Sequence, residues 1–375
     1  MSRVDNDDNS SELMVAVLQG QSDRIQLLLD TNADIDAIDN YGSTALILAA
    51  QEGHCECAQV LINAKASLEM ENNTGFTALI SAAYHGHAEC LQILVESKAE
   101  VDAKCQYGDT ALICAAYQGY TDCAQLLINA NADIEAKDNL GKTALIVAVL
   151  EGKTEFSQLL LDANAAINGR DDDGSTALIV AAIEGHIECA QLLVDARADI
   201  EAKNEDGDTA LMLAAYNGHN EYTKLLIDAK ADLEVKNTDG YTALMFVAIE
   251  GSCEYAEILL TAKAEIDARE NEGCTALMLA AQQGHADFVQ LLIDANADVE
   301  VADTCGDTAL IVASQEGNIA CVRALLKAKA NVEVENENEV SAFMAAAAEG
   351  HDHVLSVLKD AITGIYASRN DSDQA

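Results

Sequence analysis

Histidine and cysteine are the side chains of this sequence best equipped for chemistry, and both recur on a fixed spacing. Six of the eight histidines, His54, His87, His186, His219, His285 and His351, each directly follow a glycine. An imidazole could serve there as a general base or a metal ligand. In Gly53-His54-Cys55-Glu56-Cys57 the arrangement looks like a zinc clip. Cys57, however, belongs to a column with Cys90, Cys123, Cys189 and Cys321, and equivalent places hold Phe156, Tyr222, Tyr255, Phe288 and Val354. A slot that takes a thiol, a ring or a valine is a packing slot. Only His54 and Cys55 remain, too few for a closed zinc site. His85 and His353 stand off this spacing and read as surface residues.

The carboxylates repeat as well. Asp133, Glu135 and Lys137 alternate along what reads as one face of an extended strand, with counterparts at Asp199, Glu201 and Lys203. A period of two on a strand describes a solvated face. No phosphate-cradling glycine loop, nucleophile elbow or Walker-like segment occurs. The expectation is a chain without catalytic residues, cofactor or metal.

The formal net charge is −43, from 64 acids against 21 bases. That balance argues against nucleic acid, since phosphate binding needs a surplus of Lys and Arg. It fits either a self-repelling, solubilising surface or attraction for a basic partner segment. No apolar run reaches the length of a membrane span, and the polar start lacks a secretory pattern. Of the eleven cysteines, the five of the Cys57 column are expected not to be cross-bridged to one another. Helices of neighbouring repeats pack about 10 Å apart, whereas disulfides need Cα atoms within about 7 Å. A cytoplasmic location is expected, with the nucleus as the alternative, and the chain is expected to be monomeric.

What positions these residues is a strict period of 33. A Thr-Ala-Leu-like triplet starts at Thr44, Thr77, Thr110, Thr143, Thr176, Thr209, Thr242, Thr275 and Thr308, with Ser341 in the tenth place. In the unit around Thr143, Asp138–Lys142 forms a turn, Thr143 caps a first helix, and Gly152 ends it. A second helix over Phe156–Ala163 follows, Asn164 ends it, and Ala165–Gly169 runs extended into the next turn. Nine glycines lie two residues before an anchor and eleven lie nine after one, counting Ser11 as the anchor of the first cap. Units of this size bury their apolar faces only against neighbours. The spacing therefore predicts an all-α repeat solenoid of stacked helix-turn-helix units with β-hairpin-like loops. A polar, disordered tail is expected at 1–9. A capping repeat follows at 10–37, nine full repeats at 38–334, a second cap at 335–367, and another disordered tail at 368–375.

These residues resemble the ankyrin-repeat family. The pattern is Gly174-Ser-Thr-Ala-Leu178, Ala181-Ala182, Gly185-His186 and Leu192-Leu193, and it spans over nine-tenths of the chain in eleven units. Two departures stand out. Ala replaces the family's Pro after the anchor Thr. The helix-ending Gly is replaced by Asn32, Asn131, Asn164 and Asn296, or by Lys65, Lys98, Arg197, Lys230, Lys263 and Lys329. Asn tolerates a left-handed backbone, Lys and Arg less so, and some local stability should be lost. The resemblance implies that the repeating histidine is structural. It also implies a non-enzymatic protein-interaction scaffold, whose concave groove is lined by hairpin tips and first-helix ends.

Those positions carry Tyr41, Phe76, Tyr84, Tyr107, Tyr117, Leu150, Ile183, Tyr216, Tyr241 and Ile249, together with Leu140. Aromatic side chains supply large contact area and are common binding anchors, and five of these cluster in the first three full repeats. The second reading is an inhibitor that masks a basic segment of a partner by charge. Lys104, Lys137, Arg170, Lys203, Lys236 and Arg269 form a basic column in six successive repeats. They either offset neighbouring strand acids or contact an acidic partner.

Overall fold

The computed structural model describes the backbone of residues 4–372 and the side chains of residues 11–363. Among these residues lie 22 helices, joined in consecutive pairs, and no strand. The chain forms two compact units, one of residues 1–181 with 188–199, the other of residues 182–187 with 200–375. Both are built from the same helix pair.

In the first unit the anchor-bearing helices Ala45–Glu52, Ala78–His85, Ala111–Gln118 and Ala144–Leu150 pack on one another in succession. The second helices Cys55–Asn63, Ala88–Glu96, Thr121–Asn129 and Thr154–Asp162 make a parallel row of contacts. The second unit repeats this plan, from Ala210–Tyr216 to Ala342–Ala348 and from Asn220–Asp228 to Asp352–Ser372.

Sequence dictates each pair. Thr44 holds an extended backbone and its Oγ1 accepts from the Ile47 N–H at 3.3 Å, which satisfies one of the orphan donors of the helix start. Residues Ala45 to Ala50 are all buried, because this short helix has neighbours on nearly every side. Gly53 then turns left-handed at φ 71° and stops it. The second helix is two-faced, with Cys57, Ala58 and Leu61 buried while Glu56, Gln59 and Asn63 face outward.

All ten Asn, Lys and Arg residues expected in the left-handed region are there, with φ between 64° and 73°. At Lys65 the surrounding bonds explain why. Ala66 N–H donates to Leu61 O and Lys65 N–H to Ile62 O, both at 3.0 Å, a six-to-one and five-to-two closure that needs one left-handed residue. Glu339, in the place of the turn glycine, also has positive φ, at 59°.

Several expectations need correction. The Asp133–Lys137 segment is a turn, not an extended strand. Asp133 Oδ1 accepts from Glu135 N–H at 3.0 Å, and a short polar side chain bonded two residues ahead competes with extended pairing. The hairpins reduce to isolated antiparallel bridges such as Lys137 with Thr143. The acids at the Glu135 position also do more than face water: Glu135 Oε1 accepts from Ala166 N–H at 2.7 Å, and its counterpart Asp102 accepts through Oδ1 from Asp133 N–H at 2.9 Å, each donor lying in the next repeat. Finally, helix Val4–Leu18 runs through Ser11, so the first helix of this repeat begins before its anchor instead of after it. That helix takes in most of the tail expected at 1–9, and helix Asp352–Ser372 most of the one at 368–375. Residues 1–3 and 373–375 lie outside the described residues.

Candidate protein-binding surface

The repeating histidines are engaged between repeats. Nε2 of His87 faces Gln51 O at 2.9 Å, His219 faces Ile183 O at 3.1 Å, His285 faces Ile249 O at 2.9 Å and His351 faces Gln315 O at 2.9 Å. A carbonyl only accepts, so the facing nitrogen carries the proton. The ring also occupies the space beside the preceding repeat's glycine: a Cβ on Gly53 would stand 2.5 Å from His87 Nδ1. Asn318 does the same work through Nδ2, donating to Ala281 O and Gln282 O.

The basic column is engaged in a similar way. Nζ of Lys104 donates to Lys137 O and that of Lys137 to Arg170 O, both at 2.7 Å. In the second unit Lys203 reaches Lys236 O, Lys236 reaches Arg269 O, and Arg269 reaches Ala302 O. Arg170 donates to Gly174 O within its own turn at 2.7 Å, as Arg269 does to Gly273 O at 3.1 Å. Each of these bases thus has a backbone carbonyl partner, a role that neither earlier reading of the column contained.

The cysteine column is buried throughout. One sulfur contact was not anticipated: Cys55 Sγ lies 2.8 Å from Cys90 Sγ, across a repeat junction. Among the described residues no group of three or more His, Cys, Asp and Glu is placed to hold a metal ion. No helix among them is long and apolar enough to cross a membrane.

The aromatic residues divide between the units. In the first, Phe76, Tyr84, Tyr107 and Tyr117 line one cavity of about 300 Å³, with Asp109, Cys114, Gln118 and Glu151. Phe76 and Tyr84 meet edge to face at 5.6 Å between centroids. Tyr107, 63% exposed, comes from the turn before Thr110, and Tyr117 from the end of the helix after it. Burial, and then the charges of Asp109 and Asp138, push the Tyr117 hydroxyl up to about 12, so it stays neutral. Tyr41 is 76% exposed at its own turn and does not line this cavity, nor does half-buried Leu150.

In the second unit, a smaller cavity is lined by Tyr241, Phe246 and Ile249 with Asp206, Asp208, Asn237 and Asp239. Tyr216 and Tyr241 both pack on Phe246, at 5.7 and 5.8 Å. Ile183 is exposed and lines neither cavity.

A family model described as ankyrin repeats (3 copies) matches residues 2–72, 63–138, 130–204, 196–270, 245–336 and 277–371. The chain belongs to the ankyrin-repeat family. Comparison with curated proteins finds no match. Ankyrin repeats generally mediate protein–protein interaction, and proteins built of them are typically non-enzymatic.

Within this ankyrin-repeat array, the spacing did bring four of the ten candidate residues to one place. Sequence reasoning passed over Phe246, Asp109, Cys114 and Glu151. Phe246 had a signal, since equivalent places hold Leu48, Ser81, Val147 or Leu213 and no other ring. Asp109 had none by itself. Asp208 and Asp307 stand at the same repeat position, and only their neighbours tell the three apart.

Proposed function

We propose that this chain is a non-enzymatic scaffold or adaptor that binds a protein partner through the groove formed by its turn tips and first-helix ends. The observation that carries this reading is the gathering of Phe76, Tyr84, Tyr107 and Tyr117 around one open cavity. Single exposed rings are ordinary on protein surfaces, but four rings converging on one cavity offer an anchor pocket that an inserted partner side chain would desolvate. Tyr216, Tyr241 and Phe246 form a second aromatic cluster in the other unit, beside a cavity that Ile249 and three aspartates also line.

Capture from soluble lysate, with wild type beside a Tyr84→Ala, Tyr107→Ala, Tyr117→Ala variant at moderate salt, tests it. A partner retained by wild type and lost by the variant is the expected result, provided both melt at similar temperatures. Equal capture by both would remove the aromatic cluster as the contact.

The second reading, an inhibitor that masks a basic partner segment, draws on the net charge of −43. It predicts capture that collapses with added salt irrespective of the tyrosines.

A further inference from the structure

We propose that the cavity of Phe76, Tyr84, Tyr107 and Tyr117 receives one side-chain cation of a protein partner, a Lys ammonium or an Arg guanidinium, held over the rings and bonded to Asp109. This rests on the docking reading above and names what that surface takes.

Asp109 lines the cavity, is 8% exposed, and its Oδ1 has no hydrogen-bond partner. At Oδ2 it has only the Cys105 thiol, at 3.8 Å. A buried carboxylate in that state is costly until a donor or a proton arrives.

The chain meets the same requirement elsewhere with its own donor. Asp208, also just before an anchor, accepts from Asn237 Nδ2 at 2.8 Å, and Asp307 accepts from Asn336 Nδ2 at 2.7 Å. In both cases the asparagine stands five residues before the next anchor. For Asp109 that place is held by Asp138. Asp138 Oδ1 already accepts from Leu140 N–H and Lys142 N–H, at 2.8 and 2.7 Å, so the turn is built as it is with asparagine. The amide that should face Asp109 is replaced by a second carboxylate. Burial first, and then the charge of Asp138, push the Asp109 carboxyl up.

The walls suit a cation as well. Ring faces attract ammonium and guanidinium groups, most strongly where water is excluded. Glu151 adds a further negative charge, and none of the lining residues is basic. A base inserted here would satisfy Asp109, relieve its repulsion with Asp138 and stack on tyrosine. A neutral group of the same shape would do only the last.

The test uses the full chain with 13C-labelled tyrosine rings in about 150 mM salt, which screens the general acidic field beyond about 8 Å. The probes are n-butylguanidinium and n-butylammonium, with neutral n-butylurea as the isostere. The expected result is saturable shifts of the Tyr84, Tyr107 and Tyr117 signals with the cations, none with n-butylurea, and an unmoved Tyr255. Whichever cation binds more tightly identifies the partner's base. Affinity should fall at least about tenfold in Asp109→Asn, as loss of a charge-assisted hydrogen bond implies. Asp138→Asn, which copies the Asp208–Asn237 pair, should weaken cation binding while raising the melting temperature, so misfolding cannot mimic the effect.

Equal binding of n-butylurea, no saturable shift, or undiminished binding by Asp138→Asn would each overturn the inference. So would partner capture that Asp109→Asn leaves unchanged while the tyrosine variant loses it; that pattern would leave the docking reading standing.

Discussion

Lys65, Lys98, Arg197, Lys230, Lys263 and Lys329 hold a left-handed backbone that their Cβ atoms resist. The conformation costs roughly 1 kcal/mol or more for a non-glycine residue, while glycine loses part of that advantage through its freer unfolded state. We expect Lys65→Gly and Lys98→Gly each to stabilise by about 0.5 kcal/mol, additively, as read from urea midpoints. Asn131→Gly should gain less, because asparagine already tolerates this region. At the same scale, Cys55 and Cys90 touch across a repeat junction. Burial pushes the Cys90 thiol up, with the hydrogen bond from Cys55 adding to it, so thiolate is scarce at neutral pH. Oxidised glutathione at pH 8.5 should form one Cys55–Cys90 disulfide slowly, one thiol attacking the glutathione disulfide and the other displacing the second glutathione. Peptide mapping should find this pair first among the eleven cysteines; random mixed disulfides would contradict it.

At the scale of the element, a helix pair has little stability alone and takes it from its neighbours. The fasteners are polar and regular: imidazole to carbonyl, lysine to carbonyl, carboxylate to amide, each reaching into an adjacent repeat. Truncating His87 removes one hydrogen bond and leaves a space beside Gly53, so His87→Ala should cost about 1–2 kcal/mol. Amide exchange should quicken in helices Ala45–Glu52 and Ala88–Glu96 and remain nearly unchanged in helix Ala276–Gln283, since repeat arrays lose stability locally. Uniform acceleration would mean that the array unfolds as one block. The lysine column belongs here too. Lys137→Met should weaken the junction slightly without altering partner capture, whereas a partner-contacting ladder would lose capture.

For the whole molecule, charge dominates. With a net charge of −43, the folded chain concentrates negative charge that the unfolded chain can spread. Burial also pushes the carboxyls of Asp109, Asp171, Asp208, Asp267 and Asp307 above their ordinary 3.8. A group whose folded pKa is raised holds its proton more firmly in the folded state. These five groups therefore contribute stability that is present at low pH and is lost as pH rises through the folded value. The melting temperature should rise as pH falls from 7 toward about 5, stopping short of the isoelectric point near 4.2. Added potassium chloride at pH 7 should produce part of the same gain by screening. A melting temperature that falls over this interval would show that depressed carboxylates outweigh the raised ones. At the other extreme, Tyr117, pushed up to about 12, should contribute a further loss between pH 10 and 12.

The repeat, the start of its first helix at the anchor Thr and its left-handed positions were legible in the sequence because each depends on a few residues acting locally. Thr at the helix start, Gly where φ is positive and Leu or Ala at helical spacing impose the same result in every copy. The candidate surface was half legible. The family resemblance suggested which repeat positions to examine, and of the residues so chosen Phe76, Tyr84, Tyr107 and Tyr117 line one cavity. What needed tertiary structure was the pairing between copies. That Asp109 lacks the donor which Asp208 and Asp307 possess, that Cys55 meets Cys90, and that the lysines end on carbonyls are facts about residues some thirty positions apart. The period records which positions recur. Only packing brings one repeat's side chain against the next repeat's, and whether a charge, a thiol or an amide finds its complement is decided there.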